Sequence, residues 1–459
     1  MVLKVGWLPK GPNSEKWGAD EALASGKTVE DLESYCHLVT GNEERYLDWP
    51  VMGEEAYHGL AGEIVEVILP HTEADAPGVL SVLLTFVGNL IGRGAYWRVE
   101  GDVHYCKDNI VIVGESSKGR KGTTQGRVET VISYIDGNYM ITNTSSGLSS
   151  GEGLIHAVRD CVTKVEEDGS VTVVDPGVED KRLLVTEPEF ASPLTVMRRE
   201  GNTLSMVIRN AWDDRPLRTM TRNNALMSTG SHISVIGHVT KSELLKHLTE
   251  EKLGSGIANR FMFFLVRRSK ALPHGGDTDP VGEDLRERLK EAIDFGGEPR
   301  EIPLSKKDEG GISAYELWGE IYPDLSEGRE GLFGAVVSRA EAHVRRMATL
   351  YAVLDRSEEV RCAHLMAGLA VWQFAEDSAR ILFGNLLGDF VADEILESLR
   401  AVAPDGMTRT EISGLFGRNQ PARRITAVLR DLEARGLIFK EKAEHEGPGR
   451  PPEYWYAAE

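Results

Sequence analysis

Apolar positions along the chain follow three successive rhythms. From Glu54 to Arg93 they recur at helical spacing, punctuated by Pro70, Pro77, Gly88 and Gly92. Between residues 109 and 266, short and nearly all-apolar runs alternate with helical stretches. The run at 109–113 predicts a central parallel strand buried on both faces. Residues 138–142, 182–186, 232–236 and 260–266 predict further strands, and the alternation implies an α/β domain with a mostly parallel sheet. The polar stretch 166–175 predicts a hairpin turning at Asp168 and Gly169. From Ala314 to Asn385 only helical periodicity remains. The last part predicts three helices, at 391–401, 410–416 and 421–435, then two strands at 437–442 and 453–456, which is a winged-helix layout. These shifts divide the chain into an N-terminal segment (1–50), an α/β core with a helical lead-in (51–305), a helical lid (306–388) and a winged helix (389–459).

Composition narrows the classes. The 459 residues are 41% hydrophobic and 27% charged, which excludes wholesale disorder and a fibrous fold. The net charge of −20 argues against a surface coated for bulk nucleic-acid binding, though not against a local basic module. The four cysteines, Cys36, Cys106, Cys161 and Cys362, form no C-x-x-C pair, which fits neither a zinc ribbon nor a disulfide scaffold and suggests a reducing cytoplasm. The start of the chain lacks a signal pattern, and the longest apolar run, 78–91, contains Asn89 and is too short to span a bilayer. The expectation is a soluble cytoplasmic protein without a membrane partner.

The strongest chemical signal follows the buried run: Val113-Gly-Glu-Ser-Ser-Lys-Gly-Arg-Lys-Gly-Thr-Thr124. A glycine-rich loop between a strand and a helix can aim backbone amides at phosphate oxygens, and the helix start adds positive potential. Gly114 and Gly119 match the two glycines of G-x-x-x-x-G-K-[ST], but Arg120 then stands at the lysine position. Lys121, Gly122 and Thr123 read as an expanded Lys-Thr pair. Lys121 is then the phosphate lysine, Thr123 the Mg²⁺ hydroxyl with Thr124 next, and Lys118 and Arg120 supporting cations. A flexible basic surface loop is the plain alternative.

Further candidates fall at other strand tips. Residues 182–190 form an apolar strand ending in two carboxylates, Glu187 for the metal role and Glu189 as a candidate base. Glu152 is a competing base, placed beside the phosphate loop if its preceding strand neighbours the loop's strand. Ser149 and Glu152 also spell a capping box. His238 ends another strand and could report the γ-phosphate. Arg260 follows a glycine-rich loop and suits an arginine finger supplied to a neighbouring subunit. Arg339, Arg345 and Arg346 read as a solvated helix face, or as a lid over the nucleotide. In the tail, Arg418, Asn419, Arg423, Arg424 and Arg430 belong on or near a recognition helix, and Arg450 on a wing. Between Gly406 and Arg450 there are nine Lys/Arg against six Asp/Glu, so this module is locally basic and points to DNA.

Across residues 51–385 the chain resembles the RecA-like ATPase family of helicase-type proteins associated with primase domains in phages, plasmids and actinobacterial mobile elements. The resemblance is carried by 56–65, the loop to Thr124, 147–154, 186–191, 199–205, 237–240 and 258–261, with Trp372, Ser378 and Ala379. It implies a RecA-like P-loop core, ATP and Mg²⁺, and a homo-oligomeric ring, hexameric by the resemblance. The stretch 17–26 resembles the tail of a primase-type domain, which implies a primase partner. The expectation is an ATP-hydrolysing, DNA-associated motor or helicase-like protein of a mobile element. The rival is a DNA-binding regulator with a degenerate, non-hydrolysing nucleotide site.

Overall fold

The computed structural model describes residues 49–115, 119–219, 226–247, 256–308, 311–329, 331–384, 390–417, 420–442 and 453–458. Two compact units divide the chain, Met1–Trp49 and Pro50–Glu459, and the architecture below belongs to the second. The primase-like stretch 17–26 lies outside the described residues.

The unit opens with two helices, α1 (Gly59–Ile68) and α2 (Ala76–Ile91). Helix α2 begins after Asp75 with Pro77 in its first turn and stops at Gly92, whose φ of 65° suits glycine. It is apolar all round and buried along nearly its whole length, as expected for a helix inside a core. Its one amide, Asn89, is the polar pin of that core. Its Nδ2 donates to the carbonyls of Leu183 (3.1 Å) and His232 (3.3 Å), and its Oδ1 accepts the Tyr139 hydroxyl (2.6 Å). Burial without these partners would cost about 1–3 kcal/mol.

A five-stranded, all-parallel sheet follows. Its strands are β1 (Ile110–Val113), β2 (Thr144–Ser145), β3 (Arg182–Glu187), β4 (His232–Val239) and β5 (Met262–Leu265), in the spatial order β5-β1-β4-β3-β2. All four residues of β1 are buried, as their unbroken apolar run requires. The register aligns the carboxyl ends that matter: Val113 lies opposite both Val239 and Leu265, and Glu187 opposite Gly237. Gly237 is needed there, because a Cβ would meet the Phe190 ring at 2.5 Å. The chain leaves β1 in one direction and returns through β3 and β4 in the other, so β1 sits where an open α/β sheet forms a ligand crevice.

Among the helices around the strands are α3 (Lys121–Ile135), α4 (Gly151–His156), α5 (Leu204–Trp212) and α6 (Lys241–His247). Beyond the sheet, α7 (Ala340–Leu354) and α8 (Cys362–Phe383), from the segment expected as a lid, are packed into this same core. Helix α8 lies against β5, where Ser378 Oγ accepts the Leu265 amide at 3.1 Å.

Two expectations are corrected. Residues 138–142 are helical (Gly137–Thr142), because the Asp136 carboxylate accepts the Tyr139 amide and caps a turn; the strand comes just after, as β2. Arg345 and Arg346 are not a solvated face: both are buried, and Arg346 is fully enclosed. The pair Ala95–Val99 and Asp102–Tyr105, with Arg300–Glu301 beside it, makes a small sheet that the apolar pattern did not announce.

The C-terminal residues build their own small core. Helices α9 (Phe390–Ala401), α10 (Arg409–Leu415) and α11 (Ala422–Ala434) pack with a three-stranded antiparallel sheet, β6 (Met407–Thr408), β7 (Ile438–Lys442) and β8 (Glu453–Ala457), in the order β6-β8-β7. Ile395, Leu399, Ile412, Ile425, Leu429, Leu432 and Trp455 meet inside it. Thr408 and Glu411 cap α10 reciprocally.

Candidate functional site

The glycine-rich loop joins β1 to α3 at the carboxyl edge of the sheet. The Gly114 amide donates to Val239 O (3.2 Å), tying the loop's start to β4. The Gly119 amide closes back on Glu115 O (3.2 Å). Arg120 precedes the helix with a φ of 51°, an unusual conformation for a non-glycine residue, and its guanidinium pairs with Glu73 at 2.5 Å. Glu73 also binds Arg268, so Arg120 is a neutralised support and not a free cation. Lys118 lies outside the described residues.

Lys121 is the first residue of α3, and its ammonium folds back onto the carbonyls of Gly114 (2.7 Å) and Glu115 (3.0 Å). A lysine at the positive end of a helix is poorly placed for the helix itself. Burial pushes its pKa down, and Glu243 opposes that shift. Behind it, His238 on β4 is buried, its Nε2 has no hydrogen-bond partner, and burial followed by Lys121 lowers its pKa to about 4. His238 is therefore neutral at physiological pH. A buried ring nitrogen left unpaired behind a lysine fits a site built for an oxygen-rich anion. Thr240, just beyond it, donates its hydroxyl to Glu243 (2.7 Å), a pair the sequence reading passed over.

The hydroxyls are arranged differently from expectation. Thr124 is buried and its Oγ1 donates back to Arg120 O (3.1 Å), so it is spent on the helix. Thr123 is exposed. At 100° per residue, it lies about 200° round the helix from Lys121, while Gly122 lies about 100° away. A Cβ at Gly122 would meet nothing within 4 Å. The position next to the lysine thus carries no side chain at all.

Glu187 ends β3 and is buried, its Oε1 accepting the Leu148 amide at 2.6 Å. Glu189 is exposed beyond it. Glu152 is not brought beside the loop by strand pairing, because β4 and β3 separate β2 from β1. Nor does it form a capping box with Ser149. Ser150 caps α4 through the Gly153 amide, and Glu152 accepts the Thr203 hydroxyl at 3.0 Å.

Arg260 is corrected as a finger presented to another subunit. It precedes β5, at the amino edge of the sheet, opposite the loop. It is buried, and its guanidinium holds Asp213 (2.8 and 3.2 Å), Gly256 O (2.7 Å) and Asn259 Oδ1 (2.8 Å). Arg260 belongs to a buried charged network at that edge. Lys107 Nζ donates to Asp214 (2.8 Å) and Ala211 O (2.7 Å). Arg93 donates to Asp214 (3.0 Å), and Arg346 to Lys107 O (2.9 Å) and Trp212 O (2.8 Å). No spacing rule marked Lys107 and Asp214, which lie far apart in sequence.

In the C-terminal module, Arg423, Arg424 and Arg430 are exposed on α11, off its buried stripe of Ile425, Val428, Leu429 and Leu432. Arg418, Asn419 and Arg450 lie outside the described residues.

One other cluster has metal-ligating residue types. His58, Asp355 and His364 hold their ligand atoms within 4.8 Å of one another. The hydrogen bonds read it as a clamp. His364 Nδ1 accepts the Arg361 amide (3.0 Å), which leaves the ring proton on Nε2, facing Asp355 (3.0 Å). His58 reaches the same carboxylate oxygen at 2.7 Å. Burial pushes the Asp355 pKa up, but the bonds from His364 and His58 prevail and hold it well below the carboxylate range. The bond to Asp355 raises His58 against an opposing burial effect. A raised histidine pKa stabilises below its unfolded value of about 6.5 and loses that contribution as pH rises through the folded value. His58→Gln is therefore expected to lower the thermal midpoint at pH 6 and to matter less at pH 9. Because His58 is partly exposed, the difference should not exceed about 1 kcal/mol. Equal losses at both pH values would contradict the clamp.

No family model matches the chain, and no curated protein does. Among the described residues, no helix is long and apolar enough to cross a membrane.

Proposed function

We propose that the chain is a RecA-like nucleotide hydrolase coupled to DNA through a C-terminal winged helix, working as a motor or helicase-like protein. The observation that carries this reading is the placement of Lys121. Its ammonium waits on loop carbonyls at a helix start, beside the tip of β4 and with the carboxylate-bearing β3 next in the sheet. ATP phosphates would replace those carbonyls on Lys121, with the first amides of α3 as further donors. Glu187 would orient Mg²⁺, which when bound neutralises charge on the phosphates. His238, neutral and unpaired, would accept or donate one hydrogen bond as phosphate oxygens arrive or leave. The expected test is nucleotide binding by calorimetry with Mg²⁺, alongside phosphate release with and without single-stranded DNA. Binding with DNA-stimulated release supports the proposal, and no binding to the full chain would end it.

The second reading, a DNA-binding regulator that binds nucleotide without hydrolysing it, is favoured by Gly122. The residue beside the lysine offers no hydroxyl, and Thr123 points elsewhere. Nucleotide binding without turnover would select it. Gly122→Ser, whose side chain has open space, would then be expected to raise turnover.

DNA contact is assigned to α11. Arg423→Ala with Arg430→Ala should weaken duplex binding and flatten its salt dependence by about one unit of slope per lost phosphate contact. ATP turnover should be untouched. Unchanged affinity and slope in an electrophoretic or anisotropy assay would remove the module from DNA binding. Any ring or primase partner remains a proposal from the resemblance, since Arg260 is committed to Asp213 within its own chain.

A further inference from the structure

A two-stranded arm leaves the α/β unit between α4 and β3. Its strands, Val162–Val165 and Val171–Asp175, pair antiparallel with each other and with no other described strand. The register sets Val165 opposite Val171 and Thr163 opposite Val173, so these four share one face. Val165, Val171 and Val173 are 70%, 62% and 60% exposed. Toward the tip the other face is polar: Lys164 pairs with Glu166 (2.9 Å), which also accepts the Thr172 hydroxyl (2.8 Å). The ribbon therefore presents a bare apolar face, and Val162 and Val174, 49% and 64% exposed, add apolar surface near its base.

A lone two-stranded ribbon is marginal in water, and exposed edges are normally blunted by charge or proline. Here the base is locked instead. Arg159 holds Asp175 through two bonds (2.6 and 2.9 Å), and the Gly177 amide adds a third (2.9 Å). The arm's valines are thus presented at a fixed place.

What they meet is suggested by the surface beside that base. A second short ribbon, Leu217–Arg218 with Met227–Ser228, is joined to it through the Asp160 amide and Met227 O (2.8 Å). Arg218 lies directly opposite Met227, which is 46% exposed. Arg215 and Arg218 are exposed and have no carboxylate partner among the described residues, whereas Arg93, Arg159, Arg182 and Arg288 are all paired. The tip of the arm carries three consecutive acids, Glu166, Glu167 and Asp168, and only Glu166 faces a lysine. At about 3.3 Å per residue the tip stands roughly 15 Å from the base, so it does not satisfy the arginines of its own chain.

We infer that this face is a self-complementary contact by which two copies of the chain associate about a two-fold axis. The valine face and acidic tip of each arm cover Met227, Arg215 and Arg218 of the other copy. Both halves of the match belong to one chain and are joined at the arm's base through the Asp160 amide and Met227 O, so each copy can offer both in a self-complementary, isologous contact. A nucleic acid is a poor occupant, since the three acids at the arm's tip would repel phosphate and the valine face offers it no cation. The inference does not depend on the nucleotide reading.

Analytical ultracentrifugation of the full chain over micromolar concentrations tests it. A monomer–dimer equilibrium is expected. Val171→Lys with Val173→Lys should weaken it at least about tenfold, equivalent to about 1.4 kcal/mol. The thermal midpoint should stay unchanged, because both side chains are already exposed. Glu167→Arg should also weaken it, and adding Arg218→Glu to that variant should restore it. A strictly monomeric parent overturns the inference. So does an assembly of any size that the valine pair leaves intact, or a valine variant that loses DNA binding at unchanged mass.

Discussion

Lys121→Ala is expected to abolish nucleotide binding at ordinary concentrations and to cut any turnover by at least about 100-fold, the scale of losing a preorganised charge at a phosphate. The reasoning is local. Its ammonium touches only the Gly114 and Glu115 carbonyls and ion-pairs with nothing at contact distance among the described residues, so the fold has little invested in it. The thermal midpoint should therefore hold while calorimetric binding disappears. Lys118→Ala should do less, and Arg120→Ala should act through the lost pair with Glu73. A Lys121→Ala protein that binds and hydrolyses ATP normally, with Lys118→Ala inactive, would shift the phosphate lysine three residues back.

Asp214→Ala is expected to have the largest effect on stability, about 3–5 kcal/mol, because it strands buried cations. Lys107 is fully enclosed, burial pushes its pKa down, and the Asp214 carboxylate opposes that shift. Arg93 loses the same partner. Lys107→Met combined with Asp214→Leu should recover much of the loss, since replacing a buried pair by apolar residues is often neutral. Urea unfolding of both variants checks the coupling. Simple additivity of the two single losses would mean that the charges do not act as a pair.

Much of the core was legible in advance because burial leaves a mark on composition. The apolar run of β1 and the amphipathic stripe of α11 both declared themselves, and so did the turn at Asp168-Gly169 between the strands of the arm. The Asp136 cap is a local signal of the same kind, and it makes a helix where alternation predicts a strand. The buried arginines were not legible: Arg345 and Arg346 look the same in sequence whether they face water or a core. Their burial is decided by distant partners: Lys107 and Trp212, more than 130 positions away, for Arg346, and the Trp97 ring for Arg345.

By itself, the sequence determined the α/β class, the strand–glycine loop–helix around Lys121 and the basic balance of the last module. These depend on residues close together in the chain, where periodicity, caps and glycine positions act directly. Only the tertiary structure decided strand order, and with it which tips share an edge. It set Glu187 two strands from the loop, left Glu152 without the neighbour it needed and turned Arg260 inward onto Asp213. The physical reason is that parallel strands pair through backbone groups common to every residue. Their order is therefore chosen by packing across the whole sheet, and no local pattern encodes it.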